Sequence, residues 1–338
     1  MFSLALLLLF APPQGAGLAA KYPGDRGLSA DPAVVFAEDF EQGDLATIGQ
    51  RWGDANNKAG QALFLDSAVL PGGPGRRSLR AVATRGANEG GHLYKVLKPG
   101  YDKLCLRFYV RFAEDFGWSH HFVTLGGKLN APRWPEGDAG LRPTVGFTSG
   151  IEPQQANYHT YPAKPFNPPG IWHFYTYWPE MRSYQTPEGK GDRCYGNDFE
   201  PKESVVVPRG KWVCVEMMIQ LNSTPDASDG EQAFWIDGKL AAWFAPGSVK
   251  GYWMRDVFRL DDAKGQPFEG LRWRTDPRVT INKVWLMHYV SERVFAETEA
   301  WAKAHPGFPV NSRQATVWFD DIVVSREYVG PRAPERQP

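Results

Sequence analysis

From Val34 to Ser325 the chain is a succession of short segments that alternate apolar and polar residues, separated by Gly, Pro and Asn. Successive strand side chains point to opposite faces, so a period of two marks strands with one buried face. "KLCLRFYVRF" is a long example, and "WIDGK" adds a hairpin signal, because Asp237-Gly238 between apolar residues suits a tight primed turn. Helical periodicity is confined to "SERVFAETEAWAKAHPG", which His305-Pro306 closes. The expectation is an all-β, two-sheet antiparallel sandwich with one short helix around Val294 to Ala304 outside it.

The bulk numbers narrow the partners. Lys plus Arg and Asp plus Glu are each 38, so the chain lacks the positive excess that nucleic acids and anionic membranes reward. The 13 Trp, 13 Tyr and 20 Phe beside 35 Gly and 28 Pro suit strands and turns. Aromatics also stack on sugar rings. At the N-terminus "LALLLLF" followed by "GAGLAAK" reads as a signal peptide over residues 1–20 with cleavage near Ala19 or Ala20, and a leader follows over 21–33. The apolar run is shorter than the ~20 residues that span a bilayer. A secreted or periplasmic protein without a membrane span is expected, with one domain over 34–330 and a Pro/Arg-rich disordered tail over 331–338. Cys105, Cys194 and Cys214 cannot all pair within the chain, and they read as buried free thiols rather than a disulfide.

Four stretches carry candidate chemistry: "SHHFVTLGGKLNAPRW", "GFTSGIEP", "HFYTYWPEM" and "VCVEMMIQLNSTPDASDGEQAFWIDGK". Strand parity puts His173, Tyr175 and Tyr177 on one face and Phe174, Thr176 and Trp178 on the other. In order and wording these stretches resemble the concanavalin-A-like jelly-roll polysaccharide lyases, the alginate and glucuronan lyases of families fourteen and twenty. The resemblance runs from about Phe36 to Gly330 as an ordered set of short motifs. It implies a jelly roll in which Lys128 of Gly126-Gly127-Lys128-Leu129 and the phenols of Tyr175-Thr176-Tyr177 share a cleft. The sequence departs from the lyase pattern where Asn130-Ala131-Pro132-Arg133-Trp134 follows the lysine, and where "TSGIEP" lacks the arginine of the lyases' Ser-x-Arg strand.

Breaking a 4-linked uronate by β-elimination requires neutralising the carboxylate, a base for H5 and an acid for O4. Lys128 suits the first role, Tyr175 and Tyr177 the other two, with His173 assisting because imidazole titrates near neutrality. His120, His121, Trp134, Glu152, Glu180, Glu216, Gln220 and Asn222 are candidate glycan-binding residues. Strand parity allows only one of His120 and His121 to line a given groove. Lys128, Glu152, His173, Tyr175, Tyr177 and Gln220 are expected to converge. Each also has an ordinary structural reading, as a solvated loop lysine or half-buried strand aromatics. Two alternatives stay open: a non-catalytic carbohydrate-binding protein, or a glycoside hydrolase using Glu152, Glu180 or Glu216, since hydrolysis needs two carboxyls across the bond. The partner in each case is a polysaccharide or oligosaccharide, with no protein partner implied. No cofactor is required, although Asp39, Glu41, Asp320 and Asp321, brought together by adjacent first and last strands, would suit structural calcium.

Overall fold

A computed structural model describes residues 12–158 and 163–335. Two large sheets face each other across an apolar core, with strands numbered in chain order. The first sheet runs β15 (Lys239–Phe244), β14 (Glu231–Ile236), β13 (Trp212–Gln220), β6 (Lys103–Phe112), β20 (Gln314–Ser325), β4 (Ser78–Thr84), β3 (Leu63–Asp66), and β1 (Val34–Glu38) also pairs with β20. The second runs β18 (Gln266–Pro267), β16 (Lys250–Met254), β17 (Val257–Leu260), β12 (Asn197–Phe199), β11 (Ile171–Tyr177), β8 (Phe147–Gln154), β7 (Val123–Gly127), β19 (Ile281–Met287), β5 (His92–Tyr101), β2 (Gly53–Asn56). A ribbon of β9 (Ala156–Asn157) and β10 (Lys164–Pro165) lies apart. The pairings are antiparallel except that between β12 and β17.

Alternation decides what each strand buries. In β6 the residues Leu104, Leu106, Phe108, Val110 and Phe112 enter the core, and in β13 Val213, Val215, Met217 and Ile219 meet them. From the second sheet Trp172 and Phe174 of β11 point inward. Thr176 follows them, and its hydroxyl is satisfied by Ser149 and Gln232, so the core carries a polar knot in which Gln232 Nε2 has no partner among the described residues. The opposite parity leaves Tyr175 and Tyr177 on the second sheet's outer face.

The first and last strands do lie side by side. Beyond a bulge at Asp320-Asp321, where Asp321 takes φ 44°, β20 leaves β4 and pairs with β1. Among the described residues two α-helices occur rather than the single one expected. The additional helix, α1 (Leu45–Trp52), is eight residues long, too short for its period to stand out in sequence. Asp44 caps it by accepting from the Thr47 N–H, and Gly53 at φ 105° stops it. The helix α2 (Glu292–Ala304) forms where expected but is seated on the core, presenting Val294, Phe295, Thr298 and Trp301.

The three cysteines are free and buried. Residues 1–11 of the expected signal lie outside the described residues. The following segment packs on the first sheet's outer face: Leu18 and Ala19 donate to the carbonyls of Tyr328 and Val329, and Trp235 donates to the Pro13 carbonyl. The expected disordered tail is tied down at its start, because Arg332 pairs with Asp321 at 2.8 Å and donates from its backbone to the Tyr109 hydroxyl. Residues 336–338 lie outside the described part. No helix among the described residues is long and apolar enough to cross a membrane.

Candidate active site

The outer face of the second sheet carries a cleft of about 310 Å³. Register explains its floor, because two rows of cross-strand neighbours run beneath it. One row reads Lys283, Gly126, Thr148, Tyr177 across β19, β7, β8 and β11. The next reads Trp285, Thr124, Gly150, Tyr175. Each row contains a glycine: Gly150 lines the cleft and gives it depth, whereas the space over Gly126 is taken by the Lys283 side chain. Loop residues Glu136 to Ala139, His92, His121, Glu152 and Tyr289 supply walls.

Tyr175 and Tyr177 meet edge to face with ring centroids 5.6 Å apart. The neighbouring Tyr175 hydroxyl and the Gly196 N–H both act to hold the Tyr177 phenol down against burial. Burial raises both phenols, Tyr175 well above its ordinary value and Tyr177 to about 12. At neutral pH both keep their protons. Gly196 is required locally, since a Cβ there would stand 2.4 Å from the Tyr175 ring.

Glu152 is buried, accepts from the Phe122 N–H at 3.1 Å, and has both oxygens 3.4 Å from His121 Nδ1. Burial pushes its carboxyl up, but the charge and hydrogen bond of His121, the charge of His173 and the Phe122 N–H outweigh this, so its pKa is lowered and it stays ionised. With Nδ1 engaged, His121 has Nε2 left for other work, and its ring lies 5.4 Å from that of Tyr175.

His120 does not point away from His121. The two rings stack at 4.4 Å, and His120 also stacks on Tyr289 at 5.0 Å. The alternation rule fails because both residues precede β7 and both backbone N–H groups donate to the Tyr289 carbonyl, a bend leading into an isolated bridge rather than a continuous ladder. Burial and neighbouring His121 lower His120 to about 4.

His173 shares the face of the tyrosines but is covered, with Nδ1 3.3 Å from Asp198 Oδ1. Burial acts to lower its pKa, and the Asp198 hydrogen bond and charge reverse this to a net rise. It therefore stands behind the cleft rather than in it.

Lys128 directly follows β7 and reaches Asp138 at 3.2 Å and Glu136 at 3.6 Å. Those two carboxylates line the cleft in front of it. A second lysine, Lys283, lies under the same wall. Its amine donates to Thr148 Oγ1 at 2.6 Å, and burial lowers its pKa to about 8. The amine passes over Gly126, where a Cβ would come within 2.3 Å of Lys283 Cε.

Several expected residues lie elsewhere. Gln220 and Glu216 are on β13, in the other sheet, because sheet membership is set by long-range pairing that local alternation does not encode. Glu216 is buried and accepts from the N–H groups of Val329 and Gly330, and burial raises its carboxyl to about 7. Asn222 is a buried brace, bonded both ways to the Arg274 backbone. Glu180 pairs with Arg272 at 3.2 Å outside the cleft, and Trp134 is 59% exposed on the loop after Lys128, also outside its lining. Of the proposed calcium ligands, Glu41 accepts from Arg76 and Arg77, Asp39 from Glu41, Asp320 from Leu70, and Asp321 pairs with Arg332. Among the described residues no group of three or more His, Cys, Asp or Glu is gathered as a metal ion requires. The adjacent end strands bring the backbones together, but each carboxylate is turned to a nearby N–H or guanidinium.

Sequence reasoning missed Lys283, Trp285, Glu136 and Asp138. A signal for the first two was present in "INKVWLM": Val284 and Leu286 enter the core, so Lys283 and Trp285 must face outward. The loop acids carry no such periodic mark.

No family model matches the chain, and no curated protein matches it in sequence. Solved structures do match, and the fold they share is the jelly roll of the polysaccharide lyases. The marine PL-14 alginate lyase from Aplysia kurodai superposes with a TM-score of 0.54 at 13% identity, covering 86% of this chain and 98% of its own. Alginate lyase Aly36B, solved as a double mutant with an alginate tetrasaccharide, gives 0.52 at 14% identity, covering 89% and 98%. Alginate lyase vAL-1 from Chlorella virus gives 0.51 at 15% identity, covering 86% and 99%. At such identities the likeness is one of fold.

Proposed function

We propose that the protein is a secreted polysaccharide lyase that cleaves an acidic glycan by β-elimination in the cleft of the second sheet. The observation that carries this reading is the juxtaposition, on one open face, of an edge-to-face tyrosine pair with a histidine whose Nδ1 stands against a buried carboxylate. An acid and a base standing side by side are what elimination needs.

In this reading His121 Nε2 takes H5 of a 4-linked uronate, with Glu152 orienting the ring and stabilising the imidazolium. The C5 electrons form the C4–C5 double bond as the C4–O4 bond breaks. Tyr177 gives its phenolic proton to the departing O4, and solvent returns a proton from His121 to Tyr177. Tyr177 suits the acid role because the Tyr175 hydroxyl and the Gly196 N–H favour its phenolate as the proton leaves. Lys128 is held by Asp138 and Glu136 and meets a glycan carboxylate only by leaving them. Trp285 on the floor offers a ring face to the sugars.

The test is to incubate the purified protein with alginate, glucuronan, pectate, glycosaminoglycans and neutral glucans, following ultraviolet absorbance of unsaturated uronate and new reducing ends together. Unsaturated product from a carboxylated polymer is the expected result. Reducing ends without unsaturation would establish a hydrolase instead, and glycan retention with neither signal would leave a binding protein.

A further inference from the structure

Among the described residues the cleft's lining holds no arginine and one exposed lysine, Lys58; elimination from a uronate needs a cation held at the carboxylate, and Lys283 on β19 lies beneath the floor, outside that lining. Lys283 is placed for that task. Its side chain is 6% exposed, and burying an ammonium ion is costly unless its charge and hydrogens are met. An ammonium has three hydrogens to donate. Here only one is spent, on Thr148 Oγ1, and no carboxylate stands within 4 Å among the described residues. The nearest charges acting on it are those of Asp138, Lys128 and Glu136. Gly126 clears the path by which the amine crosses β7 to reach Thr148, and Thr148 itself lines the cleft next to Tyr177 in register.

We propose that Lys283, presented by Thr148 across Gly126, is the specificity-determining cation that receives the carboxylate of an acidic glycan in this cleft. The inference rests on the proposed lyase reading and deepens it. The positive charge thus enters β8, the strand of "TSGIEP", from β19 beside it. A carboxylate bound there takes up the two unspent hydrogens and removes the cost of the orphan charge. A neutral sugar satisfies hydrogens but not charge, so the site sorts acidic from neutral glycans.

The experiment measures binding of the best polymer found above and of its carboxyl-reduced counterpart, which cannot undergo β-elimination, in the native protein, Lys283→Met, Lys283→Gln and Thr148→Val. Thermal melting of each variant establishes that it is folded, and Lys283→Gln and Thr148→Val stand in should Lys283→Met not fold. The expected result is that the native protein prefers the carboxylated polymer by about tenfold or more, as a charge-assisted contact warrants. Both Lys283 variants lose that preference while retaining the reduced polymer, and Thr148→Val weakens it. The native preference also declines as pH rises through about 8, where the amine loses its proton, and the Lys283 variants show no such decline. An undiminished preference in folded Lys283→Met or Lys283→Gln would overturn the inference and leave the lyase reading intact. A native protein that neither binds nor cuts any carboxylated polymer would overturn both.

Discussion

Tyr177 differs from Tyr175 in one respect that matters for chemistry. The Gly196 N–H and the neighbouring Tyr175 hydroxyl both favour its phenolate, whereas Tyr177 acts to raise Tyr175. Removing the Tyr177 hydroxyl therefore removes the acid itself. Steady-state kinetics of Tyr177→Phe should show kcat lower by on the order of 10²-fold or more, the usual worth of a positioned proton donor, with KM altered by no more than about threefold. Tyr175→Phe should cost less, since it withdraws only a supporting donor. Equal losses in the two variants would contradict the assignment. The tyrosine parity was legible in "HFYTYW", because Phe174 and Trp172 must go inward and carry their odd-numbered neighbours outward. The behaviour of His120 and His121 was not, because they lie in a bend where parity has no force.

Among the elements, α2 shows how a helix read as peripheral becomes part of the core's edge. Trp301 is 7% exposed, lies edge-on to Trp118 at 5.9 Å and stacks on His305 at 4.1 Å. Truncating so large a buried ring should cost about 3–5 kcal/mol. Trp301→Ala is thus expected to shift the denaturant midpoint strongly while leaving the cleft's specific activity near native at low temperature, because no cleft side chain comes from α2. A variant of native stability would show that the helix only leans on the sandwich. The strand series itself was readable from alternation, whereas α1 was not. Eight residues give a helical period barely two turns in which to declare itself.

Across the whole molecule the two sheets are joined by more than apolar contact. His288, just past β19, reaches over to β20, its Nε2 standing 3.0 Å from the Ala315 carbonyl oxygen. Burial lowers its pKa to about 4. The unfolded chain, with histidine near 6.5, then binds more protons below that pH, so stability present above 6.5 is lost as pH falls toward 4. Buried Glu200 and Glu216, both raised to about 7, act in the opposite sense, withdrawing stability as pH rises from their ordinary range through 7. Denaturant titrations across pH 4 to 7 should find that His288→Gln reduces the acid-side loss by up to about 3 kcal/mol, the worth of its shift. An unchanged slope would place the acid sensitivity elsewhere.

The sequence by itself determined which residues face inward on each strand, where the turns fall and that strands dominate, because those properties depend on a period of two and on neighbouring turn chemistry. Tertiary structure alone decided which strands share a sheet. That pairing carried Glu216 and Gln220 away from the tyrosines, set Lys283 beside Thr148 across a glycine, and turned the carboxylates at Asp320-Asp321 to protein partners. Contacts between residues more than a hundred positions apart have no local signature, since they are chosen by the core as a whole.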